Sequence, residues 1–315
     1  MGNTHFFERE KCPACKSQDQ HPVYKCGFTE SPIKEYLDSF YSPQGHIEFG
    51  YLDGATYSLI ECNGCGLIYQ KEIPNDQLMD RLYEKWIDPE MAFKRHLDGD
   101  DLLLFSYYAQ EIMQLIAYFD RPPSALSFLD FGMGWGKWLR MAKAFGCKSY
   151  GLELSERRIE YAKSNGIDIL DWNKMPQGTF DFINTEQVFE HIAEPLDTLN
   201  HLKRSLKQNG LIKISVPDGG VIKRRLKVMD WNAPKGSRNS LNPVAPLEHI
   251  NCFNRNSIIK MAEIAGLELA YLPLLTQYQF STGWYRPKRI LKNLLFPIYR
   301  NVLRKGTYLF FRNKA

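Results

Sequence analysis

The chain of 315 residues has no uninterrupted apolar run long enough to cross a bilayer. Its best stretch, Leu102 to Phe119, is broken by Gln110 and Glu111. Internal repeats and low-complexity tracts are also missing, which excludes solenoids and linker-rich assemblies. The residues Glu8-Arg9-Glu10-Lys11 lack the apolar core of a signal peptide, and Phe6 stands where a myristoylation signal beginning Met-Gly requires Ser or Thr. These absences set the expectation of a cytoplasmic protein. Acid is missing from one region: nine of the 40 basic residues, and no Asp or Glu, lie from Arg286 onward. The remaining 31 basic residues face 36 acidic ones, so the body offers no long basic groove for a nucleic-acid backbone. Cysteine is sparse at seven, yet four form two C-x-x-C pairs, Cys12 with Cys15 and Cys62 with Cys65. In a reducing compartment that spacing favours metal ligation over disulfides. Cys26, Cys147 and Cys252 read as plain thiols.

Four parts follow from the patterning. Residues 1–75 hold both cysteine pairs around an aromatic-rich insert. Residues 76–123 read as a helical linker or substrate lid, with Leu103, Tyr107, Ile112, Leu115 and Ile116 at helical spacing and Pro122-Pro123 as the stop. Over 124–285 strand and helix alternate, the signature of a mostly parallel sheet covered on both faces. Strands are expected at 126–131, 149–153, 167–170, 180–184 and 211–216, and helices at about 137–145, 156–164, 195–207 and 256–265. Residues 286–315 form a basic amphipathic tail.

The richest stretch of the α/β part is Leu129-Asp-Phe-Gly-Met-Gly-Trp-Gly-Lys-Trp138. A strand that turns through Gly132, Gly134 and Gly136 into a helix lets a ligand approach bare backbone. The dinucleotide fingerprint G-x-G-x-x-G needs its last glycine at Lys137, one residue later than here. Asp130 followed by G-x-G-x-G instead resembles motif I of class I S-adenosylmethionine (SAM) methyltransferases. Glu153, at the end of the next strand and about 20 residues on, has the position of an acid that accepts ribose hydroxyls. The resemblance implies adenine contacts from Asp171, with Trp172 as a stacking candidate. It places Asp181, Glu186 and Gln187 in a cofactor-passing segment that continues into Glu190-His191. Its fold would be a seven-stranded Rossmann-like sheet with SAM as cofactor.

Cys12-Pro-Ala-Cys15 and Cys62-Asn-Gly-Cys65 resemble two zinc knuckles that complete one structural Zn2+ site. Neither pair opens a helix after a strand, as a thioredoxin-like redox motif does. A cysteine-pair domain ahead of a SAM domain resembles the sugar C-methyltransferases that act on nucleotide-linked sugars. That resemblance assigns Glu248-His249 and Tyr83 of Leu82-Tyr-Glu-Lys-Trp86 to catalysis, with Glu248 orienting His249 as general base and Tyr83 on the substrate side. His191 is the rival base. The acceptor implied is a sugar or another small molecule. Two other classes compete: methylation of RNA, and a non-catalytic SAM-fold protein that binds partners through zinc. In the tail, Ile290, Leu291, Leu294, Leu295, Ile298, Val302 and Leu303 recur at helical spacing among basic residues. They suggest either a peripheral contact with an anionic membrane or, more simply, an apolar side packed on the body or a second subunit.

Overall fold

The computed structural model describes residues 4–43, 45–88, 90–91, 93–94 and 102–314. The chain divides into two compact units. The first comprises residues 1–99, 190–196 and 217–261, and the second 100–189, 197–216 and 262–315.

In the first unit, β1 (Phe6–Glu8) pairs antiparallel with β5 (Glu72–Pro74). Strands β2 (Gln20–Gly27), β3 (Thr56–Cys62) and β4 (Ile68–Gln70) form an antiparallel sheet. The short strand Asn251–Cys252 extends that sheet by pairing with β4. Helix α1 (Ile33–Tyr41) buries Ile33, Leu37 and Tyr41, the i, i+4, i+8 stripe of its sequence. Around it Phe28, Tyr57, Trp86, Leu226, Trp231 and Val244 form one aromatic-rich core. Helix α2 (Asp76–Arg81) is capped by the Asn75 side chain, which accepts from the Leu78 N–H at 3.0 Å, and runs into a π-type turn, Leu82–Trp86.

The second unit opens with α3 (Leu102–Phe119) and carries a seven-stranded sheet. Its strands are β6 (Ser127–Phe131), β7 (Lys148–Leu152), β8 (Asp168–Ile169), β9 (Phe180–Glu186), β10 (Leu206–Ser215), β11 (Leu267–Ala270) and β12 (Tyr308–Asn313). The spatial order is β11-β12-β10-β9-β6-β7-β8. All pairings from β10 to β8 are parallel, whereas β12 runs antiparallel to both neighbours. Helices α4 (Lys137–Ala144), α5 (Glu156–Ser164) and α6 (Pro195–Ser205) make the crossovers. The expected strands and crossover helices are present with ends moved by a few residues, the largest shift being the earlier start of β10.

Three expectations about organisation change. Residues 217–261 leave the expected 124–285 domain and join the first unit, because Asn251–Cys252 completes its sheet and Val244 and Leu247 fill its core. The expected linker 76–123 is divided: α2 goes with the first unit and α3 with the second. The segment 286–315 is not an appendage, since its end, β12, lies inside the sheet between β10 and β11. Its helix, α7 (Pro287–Asn301), does not pack its apolar stripe on the body of the same chain. Asn293 and Pro297 are buried, whereas Leu291 and Leu295 are 59% and 51% exposed. Among the described residues no helix is long and apolar enough to cross a membrane.

Candidate functional site

In the second unit the glycine turn joins β6 to α4. Gly132 has φ +70°, and a Cβ there would lie 2.7 Å from a Val188 methyl, so packing as well as conformation demands glycine. Gly134 has φ +55°, and a Cβ there would meet nothing within 4 Å. Gly136, also left-handed, precedes the first helical residue, Lys137. Glu153 fastens this loop from the end of β7: one oxygen accepts the Gly134 N–H at 2.9 Å, and the other accepts those of Leu154 and Ser155 at 2.9 and 3.1 Å.

Asp130, Asn184 and Lys213 stand in one row across β6, β9 and β10. The Asp130 carboxyl accepts from Asn184 Nδ2 at 2.8 Å and is pushed up to about 8 by burial, partly offset by that hydrogen bond. Burial therefore favours its neutral form, while the Asn184 contact favours the charged one. Lys213 is wholly buried and donates to Glu111 of α3 at 2.8 and 3.0 Å and to Glu186 at 2.8 Å. Burial works against its charge, but the two carboxylates hold its pKa above the ordinary lysine range. Glu111 also accepts from Trp138 Nε1 at 2.6 Å and from the Tyr308 hydroxyl. Sequence reasoning missed this network, although both partners were visible as anomalies: a lysine inside Leu211-Ile-Lys-Ile214 and an acid inside the apolar α3.

The other expected cofactor residues are placed as follows. Asp171 caps the turn Trp172–Lys174 by accepting from the Asn173 N–H at 2.9 Å, and its side chain is half exposed. Trp172 packs 5.3 Å from Phe131 and 4.1 Å from His201, between ring centroids. Gln187 adopts φ +56°, and its N–H donates to the Ser215 carbonyl at 2.7 Å. Asp181 has a structural role at the start of β9, accepting from the Ser127 N–H, Lys207 and Arg121.

The methyltransferase-domain family model matches residues 104–272, just over half of the chain. The chain belongs to this methyltransferase family. No curated protein sequence matches it. Among solved structures it is similar to the plantazolicin methyltransferase BpumL, at 13% identity over 76% of this chain and 95% of that one, with a TM-score of 0.47. It is also similar to a SAM-dependent methyltransferase from Aquifex aeolicus, at 18% identity over 56% of this chain and 89% of that one, TM-score 0.39. A third is the [4+2]-cyclase SpnF, at 16% identity over 66% and 82% of the two chains, TM-score 0.40. The enzyme is a SAM-dependent methyltransferase, and its loop fits that cofactor. Bare backbone at Gly134 faces open space, and the Glu153 oxygen that accepts from Gly134 retains a lone pair for a hydroxyl donor.

This fit makes Gly134→Ala diagnostic. The methyl group meets no protein atom, so the fold should lose only the roughly 1–2 kcal/mol of left-handed strain. SAM affinity by calorimetry should fall at least about tenfold, which is about 1.4 kcal/mol. Unchanged affinity would show that the cofactor does not approach this backbone.

In the first unit the four sulfurs of Cys12, Cys15, Cys62 and Cys65 lie within 4.8 Å of one another. Cys12 and Cys65 sulfurs are 3.6 Å apart, and those of Cys15 and Cys62 are 3.5 Å apart. A tetrahedral ion with bonds of about 2.3 Å spaces thiolates by about 3.8 Å, so the set fits a Zn2+-sized ion with little movement. Each pair sits on a tight turn closed by a backbone bond, Lys16 N–H to the Cys12 carbonyl and Gly66 N–H to the Cys62 carbonyl, both 2.8 Å.

The Glu248-His249 loop lies in the same unit. Buried Arg9 donates to the carbonyls of Gln70 and Ile250 and to Asn251 Oδ1 at 2.6–3.0 Å, while Gln70 Nε2 donates to the carbonyls of Ala245 and His249 at 3.2 Å. These anchors were also missed, because Arg9 reads as surface charge in the sequence. Glu248 does not orient His249. Its carboxylate accepts from the buried Tyr41 hydroxyl at 3.2 Å, whereas His249 Nδ1 donates to the Asn242 carbonyl at 2.5 Å. His191 Nδ1 donates to the Glu248 carbonyl at 2.8 Å, and the two imidazoles stand 4.9 Å apart between centroids. Burial pushes His249 down to about 3 and His191 to about 4, so both are neutral at pH 7. Burial pushes Glu248 up to about 7, with Tyr41 and Lys235 opposing the shift. Tyr83 lies on the Leu82–Trp86 turn, 37% exposed and within electrostatic range of Tyr41.

Proposed function

We propose that the enzyme methylates a sugar or nucleotide-sugar, or another small-molecule or glycan acceptor, and that Glu248 rather than His249 takes the acceptor's proton. The acceptor class rests on the resemblance of the cysteine pairs and Glu248-His249 to sugar C-methyltransferases. The observation that carries the base assignment is the burial of this loop together with its hydrogen bonding. A general base works best when its pKa is near the operating pH. Glu248 at about 7 meets that condition and His249 at about 3 does not. His249 and His191, with Nδ1 committed to backbone carbonyls, keep their Nε2 lone pairs for hydrogen bonds from the acceptor. Tyr83 belongs to the acceptor side in this reading. Asp171, Glu186 and Gln187 remain proposed cofactor contacts, with Glu186 held by Lys213. Zinc at the four thiolates is part of the same proposal, and thiolates that must stay reduced favour the cytoplasm.

Mass spectrometry after incubation with labelled SAM and, in turn, nucleotide sugars, glycans and RNA tests the acceptor class. Methylation of RNA alone would overturn it. With the acceptor in hand, turnover should rise as pH increases through about 7, because Glu248 must lose its proton to act. Glu248→Gln should lower turnover by about 100-fold or more and abolish that limb. A limb that survives in Glu248→Gln would move the base elsewhere. The linkage has the opposite sign for stability. The folded pKa lies above the ordinary 4.5, so Glu248 contributes stability at low pH that is lost as pH rises through about 7.

A further inference from the structure

Helix α7 is amphipathic but turned outward. At 3.6 residues per turn, Leu291, Leu294, Leu295, Ile298 and Val302 fall within one arc of about 100°. All five are exposed, from 42% at Ile298 to 60% at Val302. The opposite side, where Asn293 and Pro297 are buried, is the one used against its own unit. Asn293, 5% exposed, donates to the Thr282 carbonyl at 2.7 Å. Arg289 donates to Gln110 Oε1 at 3.0 Å, and the Arg300 guanidinium lies 3.8 Å over the Tyr308 ring. A helix that satisfies its polar groups on the fold and offers leucines to solvent is built for an apolar occupant.

Charge selects that occupant. Lys288 and Lys292 lie along one edge of the stripe, Arg286 precedes it, Arg304 and Lys305 follow it, and no acid occurs from Arg286 to the end of the chain. The same helix of a second copy seated on this face would bring like charges together with no carboxylate from either segment to meet them. An anionic bilayer meets both demands: acyl chains for the stripe, and headgroups for lysine and arginine side chains that reach outward from beside it. Trp284 and Tyr285, 43% and 66% exposed just before the helix, are the residue types that settle at headgroup level. We propose that α7 docks the enzyme in the plane of an anionic lipid surface, with the 291–302 stripe inserted and the flanking cations on the headgroups. The docking is independent of which acceptor is methylated.

Cosedimentation of the full chain with vesicles of phosphatidylcholine, with and without phosphatidylglycerol, tests this. Binding is expected only with phosphatidylglycerol and should weaken about tenfold or more in high salt. The double variant Leu294→Gln/Ile298→Gln changes exposed side chains alone. It should lose binding by about tenfold or more while its melting temperature and SAM affinity stay at the parent values. Absence of binding, or equal binding to both vesicles, would overturn the proposal. So would a concentration-dependent dimer in ultracentrifugation that the same double variant dissolves, since the stripe would then be a subunit interface.

Discussion

Lys213→Met should destabilise the second unit about as much as truncating one of its large buried apolar side chains. The substitution preserves volume, yet it leaves Glu111, 2% exposed, and the partly buried Glu186 without their shared cation. Removing one partner of a buried ion pair typically costs about 3–5 kcal/mol, because the remaining charge stays desolvated. At roughly 2–4 °C per kcal/mol the melting temperature should drop by about 10 °C. The double variant Lys213→Met/Glu111→Leu should recover part of the loss, since it removes a stranded acid along with the cation. Recovery should stay incomplete, because Trp138 Nε1 and the Tyr308 hydroxyl then lose their acceptor, at about 1–3 kcal/mol for a buried group. Thermal melts of the three proteins check this. A single variant as stable as the parent would mean that water or rearrangement already satisfies both acids.

The same residues show where sequence reading stops. The glycine turn, Glu153 and the crossover helices are local patterns, so periodicity and turn chemistry reveal them directly. Lys213 and Glu111 were each visible as a charge in an apolar run, but their pairing joins residues 102 positions apart and no local pattern encodes it. The return of Asn251–Cys252 to β4 is hidden for the same reason, which is why 217–261 reads as part of the α/β domain. Strand β12 carried a signal, the run Tyr308-Leu-Phe-Phe311 after Gly306, but the preceding basic helix masks it. For α7 the pattern fixes an apolar stripe, while its direction depends on Asn293 and Arg289 finding partners at Thr282 and Gln110. Within the Glu248-His249 loop the residue types were legible, whereas the burial of each side chain was not. Burial sets which group holds a proton, and burial is a tertiary property.

The largest effect on the first unit should come from its cysteines. Cys12→Ser and Cys62→Ser each remove one thiolate from a set whose sulfurs already stand at ligand spacing, one from each knuckle. A structural zinc site contributes folding free energy on the order of 10 kcal/mol at neutral pH, comparable to the whole stability of a domain. Neither variant should fold its first unit at ordinary temperature. The second unit has its own core around Phe128, Trp138, Leu139 and Phe182, and SAM binding, proposed at its glycine turn, offers a separate readout. The expected result is therefore early proteolysis within residues 4–88 with SAM affinity partly retained. Elemental analysis of the parent should give one zinc per chain, and it should be lost in both variants. A metal-free parent with a stable first unit would overturn the zinc assignment. A second equivalent, absent from His249→Asn, would overturn a different assignment. Glu190, His191 and His249 present their carboxylate and imidazole atoms within 4.8 Å of one another, and such a result would move the two histidines from acceptor hydrogen bonding to metal binding beside Glu190.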